Sequence, residues 1–203
     1  MCHKLDPIFF KNLAEKNHDE VCRRSLAEYD TDSNVYRIIA LGNEYYVNPE
    51  AHEIKPSSSI KEEVSVDLGL LILIYLLEAK EISVSRKWVS EFNLKGGSMF
   101  FRGPHAFPVD EIAGRFGYDI EGFKETGISL GGEPLALGDA AFSFQVLPRV
   151  PAAAVLWYAD DEFDASAKLL MDATIEQHLP LDVIFGMSLE VIGRIVDKTL
   201  WGK

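Results

Sequence analysis

Ala141-Phe-Ser-Phe-Gln-Val-Leu147, then Pro148-Arg-Val-Pro151, then Ala152-Ala-Ala-Val-Leu-Trp-Tyr158 is the stretch that decides the fold class. Its first arm alternates, with Phe142, Phe144 and Val146 on one side and Ser143 and Gln145 on the other, as a half-buried strand does. Pro148 to Pro151 reverses the chain. The second arm is apolar on both sides, which predicts a central strand. A second pair lies upstream: residues 35–41 and 44–47 are rich in β-branched and aromatic side chains, and Gly42-Asn43 between them reads as a two-residue hairpin turn. A third short strand is expected at 53–55. Strands arriving in hairpins, rather than singly between helices, predict antiparallel pairing and an α+β fold instead of a doubly wound parallel sheet.

Outward from the hairpins the pattern becomes helical. Residues 6–29 predict one helix, opened by Pro7 and carrying Ile8, Phe9, Leu13, Val21 and Leu26 on its apolar side. Residues 65–80 predict a buried core helix. Its apolar run, Leu68 to Leu77, is 10 residues between Asp67 and Glu78, half of the roughly 20 that a bilayer span requires. Short helices are expected at 109–116, stopped by Gly117, and at 119–126. Asp161 is expected to cap a helix whose side is Phe163, Ala167, Leu170 and Thr174, and Pro180 to open a last helix reaching about Leu200. The expected architecture is a single α+β domain over residues 1–203, with antiparallel hairpins in a sheet covered by the N- and C-terminal helices.

Charge narrows the classes of partner. The 203 residues include 20 Lys and Arg against 32 Asp and Glu, a formal net charge of −12. The nearest things to a cationic patch are Arg23-Arg24 and Arg86-Lys87, so nucleic acid and anionic membranes are excluded as expected partners. Residues 109–127 have the outline of a helix-turn-helix. Its second helix carries Asp119, Glu121 and Glu125 against Lys124, the wrong sign for phosphates, so it reads as a helical hairpin only. Two cysteines, Cys2 and Cys22, imply no disulfide framework and fit a reducing, cytoplasmic setting. Asp6, Lys11 and Glu15 interrupt any signal-like apolar stretch.

The most site-like segment is Phe100-Phe-Arg-Gly-Pro-His-Ala-Phe-Pro108. A Gly-Pro turn there displays Arg102 and His105 just ahead of a helix start, where free N–H groups favour anions. Phe101 and Phe107 would wall an apolar pocket, with Arg149 and Trp157 as further lining. His105 would be an axial ligand or an acid/base group and Arg102 an anchor for a carboxylate or phosphate. The alternative is a packed turn whose aromatics join the core. As catalytic candidates, His105 is a general base and Asp160 its orienter. Two metal readings are weaker. Asp160-Asp161-Glu162 are better explained by a helix cap, and Cys2, His3, His18 and Cys22 have poor chelate spacing, so no metal site is expected. Gly186 and Gly193, seven apart in the last helix, share a face; their helix cost implies a close-packed partner helix, internal or from a homodimer mate.

Several motifs together resemble the DUF3786 family: Gly103-Pro-His-x-Phe-Pro108, Ile112-Ala-x-x-Phe-Gly117, Leu130-Gly-Gly-x-Pro-Leu135, Gly138-Asp-Ala-Ala-x-x-Phe144, and Leu147-Pro-x-Val-Pro151 followed by Leu156-Trp-x-x-Asp-Asp-Glu-Phe163. The resemblance is strongest over residues 97–194. It implies an origin in anaerobic metabolism and, because some members are joined to an iron–sulfur domain like that of corrinoid iron–sulfur proteins, a role near one-carbon, corrinoid or redox chemistry. It implies no catalytic residue. The chain lacks the cysteine set of such a domain, so an iron–sulfur or corrinoid protein would be a separate partner. The expectation is therefore a non-enzymatic ligand-binding or accessory module, with corrinoid or haem as candidate cofactors. The rival expectations are a small-molecule enzyme using His105 and a homodimer built through the C-terminal helix.

Overall fold

The computed structural model describes residues 5–57 and 63–196. Helix α1 (Pro7–Ala14) starts where Asp6 accepts the Ile8 N–H at 2.9 Å. The single helix expected over 6–29 is in fact two helices and a strand. Asn17 is extended and accepts the Glu20 N–H, opening α2 (His18–Ser25), and Leu26 closes it in a left-handed conformation with φ 59°. A polar side chain that can bond the backbone locally restarts a helix in this way. The chain then enters β1 (Glu28–Asp30), followed by β2 (Val35–Ala40), β3 (Asn43–Asn48) and β4 (Glu53–Pro56), an antiparallel meander in the order β1-β2-β3-β4.

Ser65 caps α3 (Val66–Glu78), which is buried around most of its circumference. A two-residue strand β5 (Trp88–Val89), a 3-10 turn at Glu91–Asn93, the single-turn α4 (Gly97–Phe100) and a second 3-10 turn at Gly103–His105 lead to α5 (Asp110–Phe116) and α6 (Ile120–Ser129). Next come β6 (Glu133–Pro134), β7 (Ala140–Leu147), β8 (Val150–Trp157) and β9 (Ser166–Asp172), a 3-10 turn at Ile175–Gln177, and α7 (Leu181–Ile195). The second sheet is antiparallel in the order β5-β9-β8-β7-β6, so β8 is central as its apolar composition predicts. The expected α+β class is the observed one, with two sheets in place of one.

Three local readings need correcting. The segment expected to be a helix capped by Asp161 is β9. Its burial alternates, with Ala167, Leu169 and Met171 inside and Ser166 and Lys168 outside, so period 2 wins over the 4-3-4 spacing of Phe163, Ala167, Leu170 and Thr174. The β2–β3 turn is Leu41-Gly42, one residue earlier than expected, with φ of 50° and 75°. Those two positive values are what a type I′ hairpin demands. Leu41 gains a compensation: its N–H donates to the Val146 carbonyl of β7 at 2.8 Å, tying the two sheets together. Finally, the terminal helices pack chiefly on α3, whereas α5 and α6, from mid-chain, cover the five-stranded sheet. Phe116, Phe123 and Phe142 meet edge to face at centroid distances of 5.6 and 5.8 Å. Gly127 admits Phe142, because a Cβ there would lie 2.5 Å from the ring.

One continuous apolar cluster runs from Phe10 through α3 and both sheets to Val196. Among the described residues, no helix is long and apolar enough to cross a membrane. The end of the last expected helix, towards Leu200, lies outside the described residues.

Candidate functional site

Between α4 and α5 the chain must turn sharply, and Gly103, at φ 55°, supplies a backbone angle that a side chain would strain. Pro104 and the 3-10 turn then set the loop. Phe101 and Phe107 do not wall a pocket. Both are buried in the core and meet edge to face at 4.9 Å. The polar members of the loop point the other way: Arg102 and His105 are exposed.

His105 is held without hydrogen bonds to its imidazole among the described residues. Its ring stacks on Phe100 at 4.8 Å with an interplanar angle of 11°, and Phe185 of α7 meets it edge-on at 5.4 Å. Phe100 in turn stands edge-on to Phe101 at 5.0 Å. A run of aromatic contacts therefore links the core to a solvent-facing imidazole, each pair contributing about 0.5–1.5 kcal/mol beyond area burial. The two contacts restrain the ring plane, and neither nitrogen has a hydrogen-bond partner among the described residues. The Arg102 guanidinium likewise makes no ion pair or hydrogen bond among the described residues and is exposed to solvent. The α5 N-terminus adds no anion site, since Asp110 and Glu111 already occupy its positive end.

The other expected site residues lie elsewhere. Arg149, at the β7–β8 turn, is turned inward: its Nε donates to the Arg24 carbonyl at 2.7 Å, Nη1 to the Ile82 carbonyl at 2.9 Å and Nη2 to the Arg23 carbonyl at 3.4 Å. It is a clip between the α2 C-terminus and the segment after α3, which corrects the expectation that Arg149 lines a pocket with His105. Trp157 ends β8, and its ring carries the Lys168 ammonium at 5.7 Å. Asp160 accepts the N–H groups of Glu162 and Phe163 at 2.8 and 2.7 Å, bonds that hold its carboxyl below the usual carboxylate range. Thus Asp160, not Asp161, organises this loop, and no hydrogen bond joins it to His105.

The metal readings fare no better among the described residues, where no group of three His, Cys, Asp or Glu side chains could hold an ion. His18 stacks on Tyr29 at 4.7 Å, and burial, then Asp19 and Glu28, push the Cys22 thiol up. Cys2 and His3 lie outside the described residues. Gly186 is accounted for internally: a Cβ there would meet Asp67 of α3 at 3.2 Å.

Two surface concavities, of about 80 and 390 Å³, flank Tyr29 on the four-stranded sheet, and neither contains a residue of the Gly103-to-Pro108 loop. The larger is lined by Glu28, Arg37 and Tyr46, whose polar groups are paired with one another or with Glu44. Sequence reasoning missed Phe185, which reaches His105 from a distant helix; no spacing in the sequence signals that contact. It also missed the group of exposed rings at Tyr118, Tyr158 and Phe163.

No curated protein and no solved structure matches the chain. A family model described as "Domain of unknown function (DUF3786)" matches residues 17–194, which include every element from α2 to β9 and all but the last residue of α7. The chain belongs to the DUF3786 family.

Proposed function

We propose that this chain is a non-enzymatic accessory module that presents His105 as an axial ligand to the metal of a flat macrocycle, corrinoid or haem, carried by or destined for a partner protein of corrinoid or iron–sulfur metabolism. One observation carries the reading: an exposed imidazole whose plane is fixed by Phe100 and Phe185 and whose nitrogens have no other bond among the described residues. Neutral imidazole is a common metal ligand, and its usefulness rises when ring orientation is set in advance. The Arg102 guanidinium, close by in the same loop, suits the acidic or amide periphery of such a macrocycle. Because Phe101 and Phe107 fill the interior, the ligand would lie on the loop, not in a cavity.

The enzymatic alternative lacks its second component. A histidine base needs an orienting acceptor within hydrogen-bond reach, and Asp160 is engaged by its own loop. The homodimer reading loses part of its motive, since Asp67 already explains Gly186.

Visible-spectrum titration with aquocobalamin and, separately, with haem tests the proposal. The expected result is a saturable band shift that His105→Ala abolishes and that His18→Ala and His52→Ala retain. Unchanged spectra, or a shift lost equally in the His18 or His52 variants, would overturn it.

A further inference from the structure

A second surface lies at the other end of α5 from the His105 loop. Seven residues of helix separate the two, about 10 Å of rise. At that end Gly117 accepts the Ala159 N–H at 2.9 Å, and a Cβ on Gly117 would lie 2.4 Å from the Ala165 methyl. This close approach brings the residue after Gly117, Tyr118, against the β8–β9 connection. Three large rings carried by these two adjoining segments stand with much of their surface in water: Tyr118 is 89% exposed, Phe163 68% and Tyr158 49%. No ring–ring contact joins them to one another among the described residues. Large aromatic side chains left in solvent at one place are the side-chain types that dominate binding hot spots.

Charge indicates what would cover them. Asp160, Asp161, Glu162 and Asp164 lie within the same connection and are exposed; Asp119 follows Tyr118, and Asp139 accepts the Tyr158 N–H at 3.0 Å. Arg115, near the end of α5, is already engaged over the Phe116 ring at 5.1 Å. Among the described residues, the rings of Tyr118, Tyr158 and Phe163 have no such cation. A guanidinium or ammonium set over a ring and beside a carboxylate gains from both. We infer that the Tyr118–Phe163 surface docks a basic segment of a partner protein, arginine or lysine side chains lying over the exposed rings and between the carboxylates. Trp157, expected to line the His105 site, is no part of this surface: it alternates with Leu156 and stands with Lys168 on the sheet face opposite the one that α5 and α6 cover.

The test is an amide NMR titration of the full chain with an arginine-rich dodecapeptide and with its glutamate counterpart. The expected result is a set of shifts centred on Tyr118 and residues 158–164 with the basic peptide only. The double variant Tyr118→Ser/Phe163→Ser, both positions being solvent-facing, should weaken binding at least tenfold with an unchanged melting temperature. Shifts spread over the whole acidic surface, or equal affinity in the double variant, would show attraction by net charge alone and overturn the inference. So would concentration-dependent self-association of the free protein that the double variant abolishes, since the occupant would then be a second copy of this chain.

Discussion

The Tyr75 hydroxyl stands between two backbone groups that would otherwise be buried without partners: it accepts the Arg149 N–H at 3.1 Å and donates to the Ser25 carbonyl at 3.1 Å. Helix α3, the β7–β8 turn and the end of α2 meet at this oxygen, deep in the core. Tyr75→Phe keeps the ring and removes the oxygen, leaving both backbone groups unsatisfied. The expected loss is about 2–4 kcal/mol, from about 1–3 per buried orphan with partial relaxation. Urea unfolding at neutral pH measures it.

Arg149 acts on the same junction. Arg149→Met retains the aliphatic stem but abandons the carbonyls of Arg23, Arg24 and Ile82. Destabilisation of about 2–3 kcal/mol is expected, the range for hydrogen bonds to a charged group at a half-buried site. Binding at the His105 loop should be unaffected, whereas an arginine of an anion clamp would show the reverse: lost affinity and little lost stability.

His178 makes folding pH-dependent. It is 1% exposed, its Nδ1 accepts the Lys80 N–H at 3.3 Å, and its Nε2 has no partner among the described residues. Burial, then the positive charge of Arg149, holds its pKa below the ordinary imidazole value, with Asp172 opposing. The folded state thus binds fewer protons than the unfolded one. Stability is complete above the unfolded pKa near 6.5 and falls as pH drops through that value towards the folded one, by at most about 1.4 kcal/mol per pH unit. Unfolding curves from pH 8 to 5 should show this slope in the wild type and not in His178→Gln.

A second limb, at lower pH, belongs to Asp172, which is 1% exposed and accepts the backbone and hydroxyl groups of Ser85 and Thr174 and the Arg86 N–H. Burial alone would raise this carboxyl, but the bonds from Thr174 and Ser85 outweigh it and lower the pKa. Its contribution is therefore present above the unfolded value near 3.8 and is lost as pH falls below it. Asp172→Asn should cost about 2 kcal/mol or more at neutral pH and flatten the profile in the region below about pH 4, read from the same curves.

Two glycines should respond oppositely to alanine. Gly114, inside α5, has nothing within 4 Å of where an added Cβ would stand, so Gly114→Ala should stabilise by about 0.5–1 kcal/mol through helix propensity. Gly127, inside α6, would drive its methyl into the Phe142 ring, and Gly127→Ala should cost about 1–3 kcal/mol. Thermal melts of the two variants decide it.

What the sequence made legible were features with a local cause. Alternation along residues 141–147 and apolarity along 152–158 announced β7 and the central β8, and the apolar run 68–77 announced α3. The β9 strand was hidden because Ala167, Leu170 and Thr174 mimic a helical side, and only pairing with β8 along Ala152 to Trp157 decides for a strand. The site divided in the same way. His105 and Arg102 could be singled out from a Gly-Pro turn among aromatics, but the direction of Phe101 and Phe107 depends on tertiary packing. Arg149 was unreadable for the same reason: its acceptors lie 125, 126 and 67 residues away in the chain.

The proposed role of His105 as ligand to a macrocycle's metal is tested most directly by following the ring resonances of the five histidines by NMR while aquocobalamin is added. The account predicts that the His105 ring protons shift and saturate while those of buried His178 stay in place. Saturation at His18 or His52 with His105 unmoved would contradict it.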